Sequence, residues 1–264
     1  MTAPLPVIFD RAARRLRRDR MARGVASPLE QGIADEVIER LDAVTRGFAS
    51  ALVINTGCGT LASALRARGI DVTETDYGAV FAERASGLRC DEDRLTAPPQ
   101  SFDLVVMPSG LDTVDDVPGA LIAARRALRD GGLFLGCLIG APTLPVLRDA
   151  LRAADTDESR AVARLHPQID VRGAGDLLVR SGFALPVADA ETLRLSYRSL
   201  DKLFADIRST GLGNVLNQRE RASRRWLASA RAAFARTAGA DGTTIETVTL
   251  LILTGWAPET RSPA

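Results

Sequence analysis

An apolar run of strand type ends in a glycine turn, and a helix begins at once. Ala51-Leu52-Val53-Ile54-Asn55-Thr56-Gly57-Cys58-Gly59-Thr60 leads directly into the helix-like Leu61–Arg68. This arrangement confines the chain to a few architectures. The strand carries the backbone to the edge of a parallel sheet. Glycines at the turn let it pass close beneath a ligand where a Cβ would collide, and the next helix presents unpaired N–H groups to that ligand. Nucleotide-type ligands are held this way. A Gly-x-Gly turn after a strand is by itself often only a tight turn, so a ligand site requires matching residues at the later strand ends.

Strand-like segments recur at 70–75, 88–90, 102–107, 133–139, 192–197 and 247–255. Helical segments are expected at 29–45, 79–86, 117–128, 144–154, 175–181, 200–208 and 219–236. Leu29, Ile33, Val37 and Leu41 repeat every four residues, and Ser27-Pro28 supplies a capping side chain and then a proline. Arg129-Asp130-Gly131-Gly132 reads as a helix stop. Strands alternating with helices imply a mostly parallel seven-stranded sheet with helices on both faces, an α/β Rossmann-like fold. The nearly all-apolar strands at 51–55, 102–107 and 133–139 suit buried central positions.

Composition excludes several chemistries. With a single histidine, His166, the chain can build neither a three-His zinc site nor a two-His-one-carboxylate iron site, and no metal site is expected. No Gly-x-Ser-x-Gly elbow accompanies that histidine. Net charge is +1, so no overall field favours nucleic acid or an anionic membrane. Three cysteines, Cys58, Cys90 and Cys137, are an odd set without close spacing, which suits a reducing compartment and a cytoplasmic location. An organellar matrix is the alternative. No apolar run reaches the roughly 18 residues of a membrane span. Residues 9–23 are arginine-rich but interrupted by Asp10 and Asp19, and read as an ordinary exposed N-terminal helix.

Candidate ligand-binding residues fall at successive strand ends. Gly57, Cys58 and Gly59 form the turn. Asp76, with Tyr77 next to it, ends the second strand, and its acceptor-only carboxylate suits a ribose diol. Asp91, with Cys90 and Glu92 beside it, comes after the third strand and can take an adenine amino group. Met107 to Ser109 ends the fourth strand, where the reacting group would sit.

The Gly57-Cys58-Gly59-Thr60 turn resembles the first motif of the class I S-adenosylmethionine (SAM) dependent methyltransferases. Ser101–Val106 and Leu128–Phe134 resemble the family's fourth and fifth strand motifs. The resemblance implies SAM as cofactor and a binding set of Asn55, Gly57, Cys58, Gly59, Asp76, Tyr77, Asp91, Glu92 and Met107, with no catalytic side chain assigned. With no internal repeat and no low-complexity linker, the chain reads as one domain over 1–264, with 28–140 as cofactor-binding core and a helical insertion between its last two strands at about 198–240.

A narrower resemblance runs over most of the chain through Ile8-Phe9-Asp10-Arg11, Asp170-Val171-Arg172, Leu178–Phe183, Gly211-Leu212-Gly213-Asn214 and Gly255-Trp256. Its segments are similar to the malonyl-carrier-protein O-methyltransferases and, more closely, to the complex I assembly factor that hydroxylates an arginine. The acceptor implied is a small molecule, a carrier-bound acid, or a respiratory-complex subunit.

Three departures stand out. Asn55 occupies the place of the family's usual acid, a change worth about 1–2 kcal/mol of binding, the scale of one charge-assisted bond. Leu61 replaces a third glycine. Asp112-Thr113-Val114 stands where these families commonly carry His or Trp. A degenerate member acting through protein contacts is therefore the alternative to an enzyme. No Asn/Asp-Pro-Pro-Tyr motif stands after the fourth strand, which argues against methylation of exocyclic amines in nucleic acid. Transfer to a carboxylate or thiol needs positioning and desolvation more than a strong base.

His166 reads as a structural loop residue and Trp226 as a packing residue. Tyr197 and Arg198 are candidates for contacting an acidic acceptor. Arg219, Arg221, Arg224 and Arg225 read as a basic, solvated helix face.

Overall fold

The computed structural model describes residues 6–24, 28–159 and 162–259. Its strands are β1 (Ser50–Ile54), β2 (Asp71–Asp76), β3 (Leu88–Arg89), β4 (Phe102–Met107), β5 (Leu128–Gly140), β6 (Ala184–Tyr197) and β7 (Thr244–Trp256). Its α-helices are α1 (Arg11–Met21), α2 (Pro28–Asp42), α3 (Thr60–Ala67), α4 (Ala79–Arg84), α5 (Val117–Ala127), α6 (Pro145–Asp157), α7 (Val171–Arg180), α8 (Leu200–Ser209) and α9 (Arg224–Ala235).

The strands form one sheet in the order β3-β2-β1-β4-β5-β7-β6. β3, β2, β1, β4 and β5 are mutually parallel, whereas β7 runs antiparallel to both β5 and β6. Strand order reverses between β1 and β4. There the helices after the two strands diverge to opposite faces and leave a crevice at the carboxyl edge.

The period-two pattern of the central strands sorts their side chains between two cores. Leu52 and Ile54 of β1, Val105 and Met107 of β4, Phe134 of β5 and Leu251 of β7 pack with Leu121, Ala124 and Leu178 of α5 and α7. The alternate residues Val53, Val106, Leu135 and Ile252 pack with Ile33, Val37, Leu61 and Leu65 of α2 and α3. A third cluster joins α6, α8 and α9 around Leu147, Leu203, Trp226 and Phe234.

Several boundaries differ from those expected. α5 ends at Ala127, next to the expected stop at Arg129–Gly132, but that stop is no separate turn. It lies within β5, at a register shift opposite Phe102/Leu104, because hydrogen bonds from Gly131 N–H to Ala257 C=O and from Ala257 N–H to Gly132 C=O extend the ladder. β6 begins at Ala184 rather than Thr192. It is an edge strand paired only with β7, and Pro186, Asp189 and Glu191 interrupt the apolar pattern of its first half. α7 starts at Val171, capped by Asp170 accepting from Gly173 N–H, and α6 continues through Asp155 to Asp157. Ser223 caps α9, which therefore starts at Arg224. Arg219 and Arg221 lie outside that helix, and the four arginines form no single helix face. The Ser27 half of the expected cap of α2 lies outside the described residues.

The largest difference is α1. It is not an ordinary exposed helix, because Arg14 and Arg18 are only 4% and 5% exposed.

Candidate active site

β1 delivers the chain to the crevice at Ile54. Asn55 turns it with a left-handed backbone (φ 65), which asparagine tolerates better than most residues. Its N–H and that of Thr56 both donate to Thr75 C=O, fastening the turn to β2. Gly57 (φ 62) comes next. A Cβ there would meet the Glu30 carboxylate from α2, the mobile end of a side chain that would have to swing aside, so glycine is favoured at this position mainly by its left-handed backbone. Gly59 (φ 81) immediately precedes α3 and has open space where a Cβ would point.

The cleft above this turn holds about 920 Å³ of empty space, counting its open mouth. Asn55, Cys58, Tyr77, Ser109 and Asp112 supply polar lining, and Ile33, Ile139, Leu212 and Leu250 supply apolar wall. Leu61 also lines it while packing into the α2/α3 core, so the missing third glycine leaves a leucine shared between core and cleft.

Four carboxylates gather at the strand ends, and four arginines of α1 meet them. Asp76, fully buried, accepts from Gly57 N–H (3.2 Å), Gly78 N–H (2.8 Å), Arg18 Nη2 (2.7 Å) and Arg18 Nε (3.1 Å). Glu92, also fully buried, accepts from Arg14 Nη1 at 2.8 Å, from Arg14 Nη2 and from Asn55 Nδ2. Asp91 pairs with Arg15 and Arg11, and Asp93 with Arg11. The Arg14 guanidinium also lies over the Tyr77 ring, 3.6 Å from its centroid, and Arg14 Nε donates to Thr113 Oγ1 at 2.8 Å.

These contacts govern the charges. Burial opposes the positive charge on Arg14 and Arg18, but Glu92 and Asp76 outweigh it, and both guanidinium pKa values shift upward. Burial raises the Tyr77 phenol, the Asp112 carboxyl, and the Cys137 thiol, the last to about 12.

The departure at Asn55 has a local reason. Its amide donates to Glu92 and to Ser109 C=O (2.8 Å), where an ionised aspartate would set two carboxylates against each other. The same residue keeps Oδ1 buried without a hydrogen-bond partner.

The residues singled out in the sequence do not all face the cleft. Asn55, Cys58 and Tyr77 line it, whereas Gly57 and Gly59 belong to the same turn but are not among the lining residues. Asp76 and Glu92 sit behind Arg18 and Arg14. Asp91 turns away toward Arg11 and Arg15. Met107 is a core residue packed with Leu52 and Phe134, and Pro108 and Ser109 reach the cleft instead. Tyr197 is buried among α6, α8 and α9 rather than facing an acceptor. His166 anchors a loop, its Nε2 accepting from Val215 N–H at 3.0 Å with its ring edge-on to Phe9, and buried Trp226 donates to Asp155 at 2.7 Å.

The site's arginines are absent from the sequence-derived set, yet a signal for them was present. Arg11, Arg14, Arg15 and Arg18 fall at i, i+3, i+4 and i+7, one face of a helix, and the run Asp91-Glu92-Asp93 offers the matching charge.

Residues 52–136 match the family model described as a methyltransferase domain. The chain is 30% identical over 234 residues to the malonyl-[acyl-carrier protein] O-methyltransferase of Laribacter hongkongensis, covering 81% of this chain and 74% of that protein. The chain belongs to the class I SAM-dependent methyltransferase superfamily. The superfamily's seven-stranded sheet is the one seen here, and its cofactor is SAM. A second relative is the mitochondrial arginine-hydroxylase NDUFAF5 of Rattus norvegicus, 28% identical over 264 residues, covering 94% of this chain and 77% of that one. Among solved structures, the 1,6-didemethyltoxoflavin-N1-methyltransferase of Burkholderia thailandensis superposes with a TM-score of 0.53 at 16% identity, covering 98% of this chain and 94% of that chain, a likeness of fold.

By chemistry the residues fit a superfamily cofactor. The open space at Gly59 and the unsatisfied Asn55 Oδ1 suit its polar tail, and two buried carboxylates beside an aromatic ring suit its nucleoside. In the conformation seen, those two carboxylates are engaged by α1.

Proposed function

We propose that this protein transfers a methyl group from SAM to an acid, either small or carrier-bound. The observation that carries this reading is the cleft at the β1/β4 reversal, lined by Asn55, Cys58 and Tyr77 of the glycine turn and the β2 end, with Asp76 and Glu92 directly behind the Arg18 and Arg14 side chains that line it. In this reading the 28–140 segment is the cofactor-binding core. The glycine turn runs under the tail, Asp76 takes the ribose hydroxyls, the Tyr77 ring is the floor for adenine, and Glu92 accepts from its amino group. The bound cofactor supplies an electrophilic sulfonium methyl. The chain's own part is to bind, orient and exclude water, which the apolar wall of Ile33, Ile139, Leu212 and Leu250 favours.

Two measurements test the reading. Calorimetric titration of SAM and S-adenosylhomocysteine should show micromolar binding that is lost in Asp76→Ala. S-adenosylhomocysteine should be released on addition of an acid or an acyl-carrier-bound acid. Absence of binding to a folded protein defeats the proposal.

A second reading is an assembly factor acting on a respiratory-complex subunit. It is favoured by the 94% coverage of this chain in the match to the NDUFAF5 relative. Copurification with such a subunit, without turnover on any acid, would decide for it. A reducing compartment, cytoplasmic or organellar matrix, suits the three free cysteines, and among the described residues no helix is long and apolar enough to cross a membrane.

A further inference from the structure

Arg14 and Arg18 reproduce the contacts expected of a nucleoside. A guanidinium is planar and carries its N–H donors at its edge. Arg14 stacks on the Tyr77 ring and directs two donors at Glu92, as an adenine would stack and direct its amino edge. Arg18 directs two donors at Asp76, as a ribose diol would.

The two occupants are mutually exclusive at Asp76. A carboxylate offers about four acceptor directions, and all of them are taken by Gly57, Gly78 and the two Arg18 donors. The two backbone donors hold the turn and the start of α4 in place. Only Arg18 can be released without dismantling the site.

α1 is also tied to the far side of the cleft. Phe9 bridges Leu216, Asp10 N–H donates to Val215 C=O (2.8 Å), and Asn217 N–H donates to Ile8 C=O (2.7 Å). Asp115 Oδ1 accepts from the N–H groups of Ile8 (2.9 Å) and Phe9 (3.0 Å), pinning the segment that leads into the helix. The neighbouring Gly211, Leu212 and Val215 line the cleft.

We propose that α1 is an internal occupant of the nucleoside subsite, and that a nucleoside-bearing ligand enters only by displacing Arg14 and Arg18, loosening α1 together with the 211–217 loop. The proposal rests on the subsite assignment made above. The ligand's apparent affinity is then its intrinsic affinity reduced by the fraction of molecules in which α1 has left.

The test uses the full-length protein and S-adenosylhomocysteine as probe. Amide exchange in residues 11–21 and 211–217 should rise at least tenfold when the probe binds. Asp115→Ala lies outside the cleft and removes the pin on Ile8 and Phe9; it should bind the probe at least threefold more tightly than wild type. Arg18→Met, if folded, should bind it more tightly still. Probe binding with exchange in α1 unchanged or slowed, and with equal affinity in Asp115→Ala, overturns the internal-occupant proposal while leaving the cofactor assignment standing. Absence of binding by every chain overturns both.

Discussion

The guanidinium of Arg18 meets the carboxylate of Asp76 at two points, Nη2 to Oδ2 at 2.7 Å and Nε to Oδ1 at 3.1 Å, with both side chains out of water. Such a pair gains little over an apolar pair of the same shape, yet breaking it strands a buried charge. Arg18→Met should therefore lower unfolding free energy by about 3–5 kcal/mol. Arg18→Met with Asp76→Leu should recover a large part of that loss. Urea unfolding of the single and double variants checks this; a double variant as unstable as the sum of the singles would contradict it.

Asn55→Asp is the substitution that restores the family's usual acid, and here it should be harmful. The new carboxylate would face Glu92 and the Ser109 carbonyl and lose both donors that the amide supplies. Arg14 still serves Glu92, but leaving the Ser109 carbonyl without that donor beside two facing carboxylates should cost about 1–3 kcal/mol. Thermal melts of the two proteins measure it, and an Asn55→Asp variant as stable as wild type would contradict it.

The two turn glycines should respond alike. Gly59→Ala places a side chain in open space but in a left-handed backbone, at about 1–2 kcal/mol. Gly57→Ala carries the same backbone cost and needs only the end of the flexible Glu30 side chain to swing aside. Chemical denaturation compares them, and a loss at Gly57 several-fold larger than at Gly59 would contradict this.

His166 sets a pH dependence. Burial, reinforced by Arg17, pulls its pKa from 6.5 down to about 4. Between those values the unfolded chain binds a proton that the native chain does not, so stability falls as pH drops from about 6.5 to 4 and is unaffected by this group above that window. The full effect is on the order of 3 kcal/mol. His166→Gln keeps an acceptor for Val215 N–H and removes the titration. The loss in unfolding free energy between pH 7 and 4.5 should be smaller in the variant than in wild type.

Local patterns in the sequence set the order and type of the central elements. β4 begins and ends where its apolar run does, at Phe102 and Met107, and the alternation of β1 assigns Leu52 and Val53 to opposite cores. The glycine turn, Asp76 and the acidic run after β3 could be placed at one sheet edge because strand ends in a parallel sheet share that edge. Boundaries set by neighbours were not legible. Arg129–Gly132 follows the end of α5 as expected, but only its pairing with Ala257 makes it the start of β5, and the first half of β6 is a strand only because β7 lies alongside.

The sequence alone determined the order of strands and helices and placed Asn55, Cys58 and Tyr77 at the cleft, because hydrophobic periodicity and turn chemistry act over a few residues. Which carboxylates remain free was decided by the tertiary structure. Arg14 and Glu92 are 78 residues apart, as Arg18 and Asp76 are 58 apart. No local pattern specifies that such distant charges will meet. They meet because α1, held at Asp10 and Phe9 by the 215–219 segment, lies across the strand ends with its arginine face turned inward.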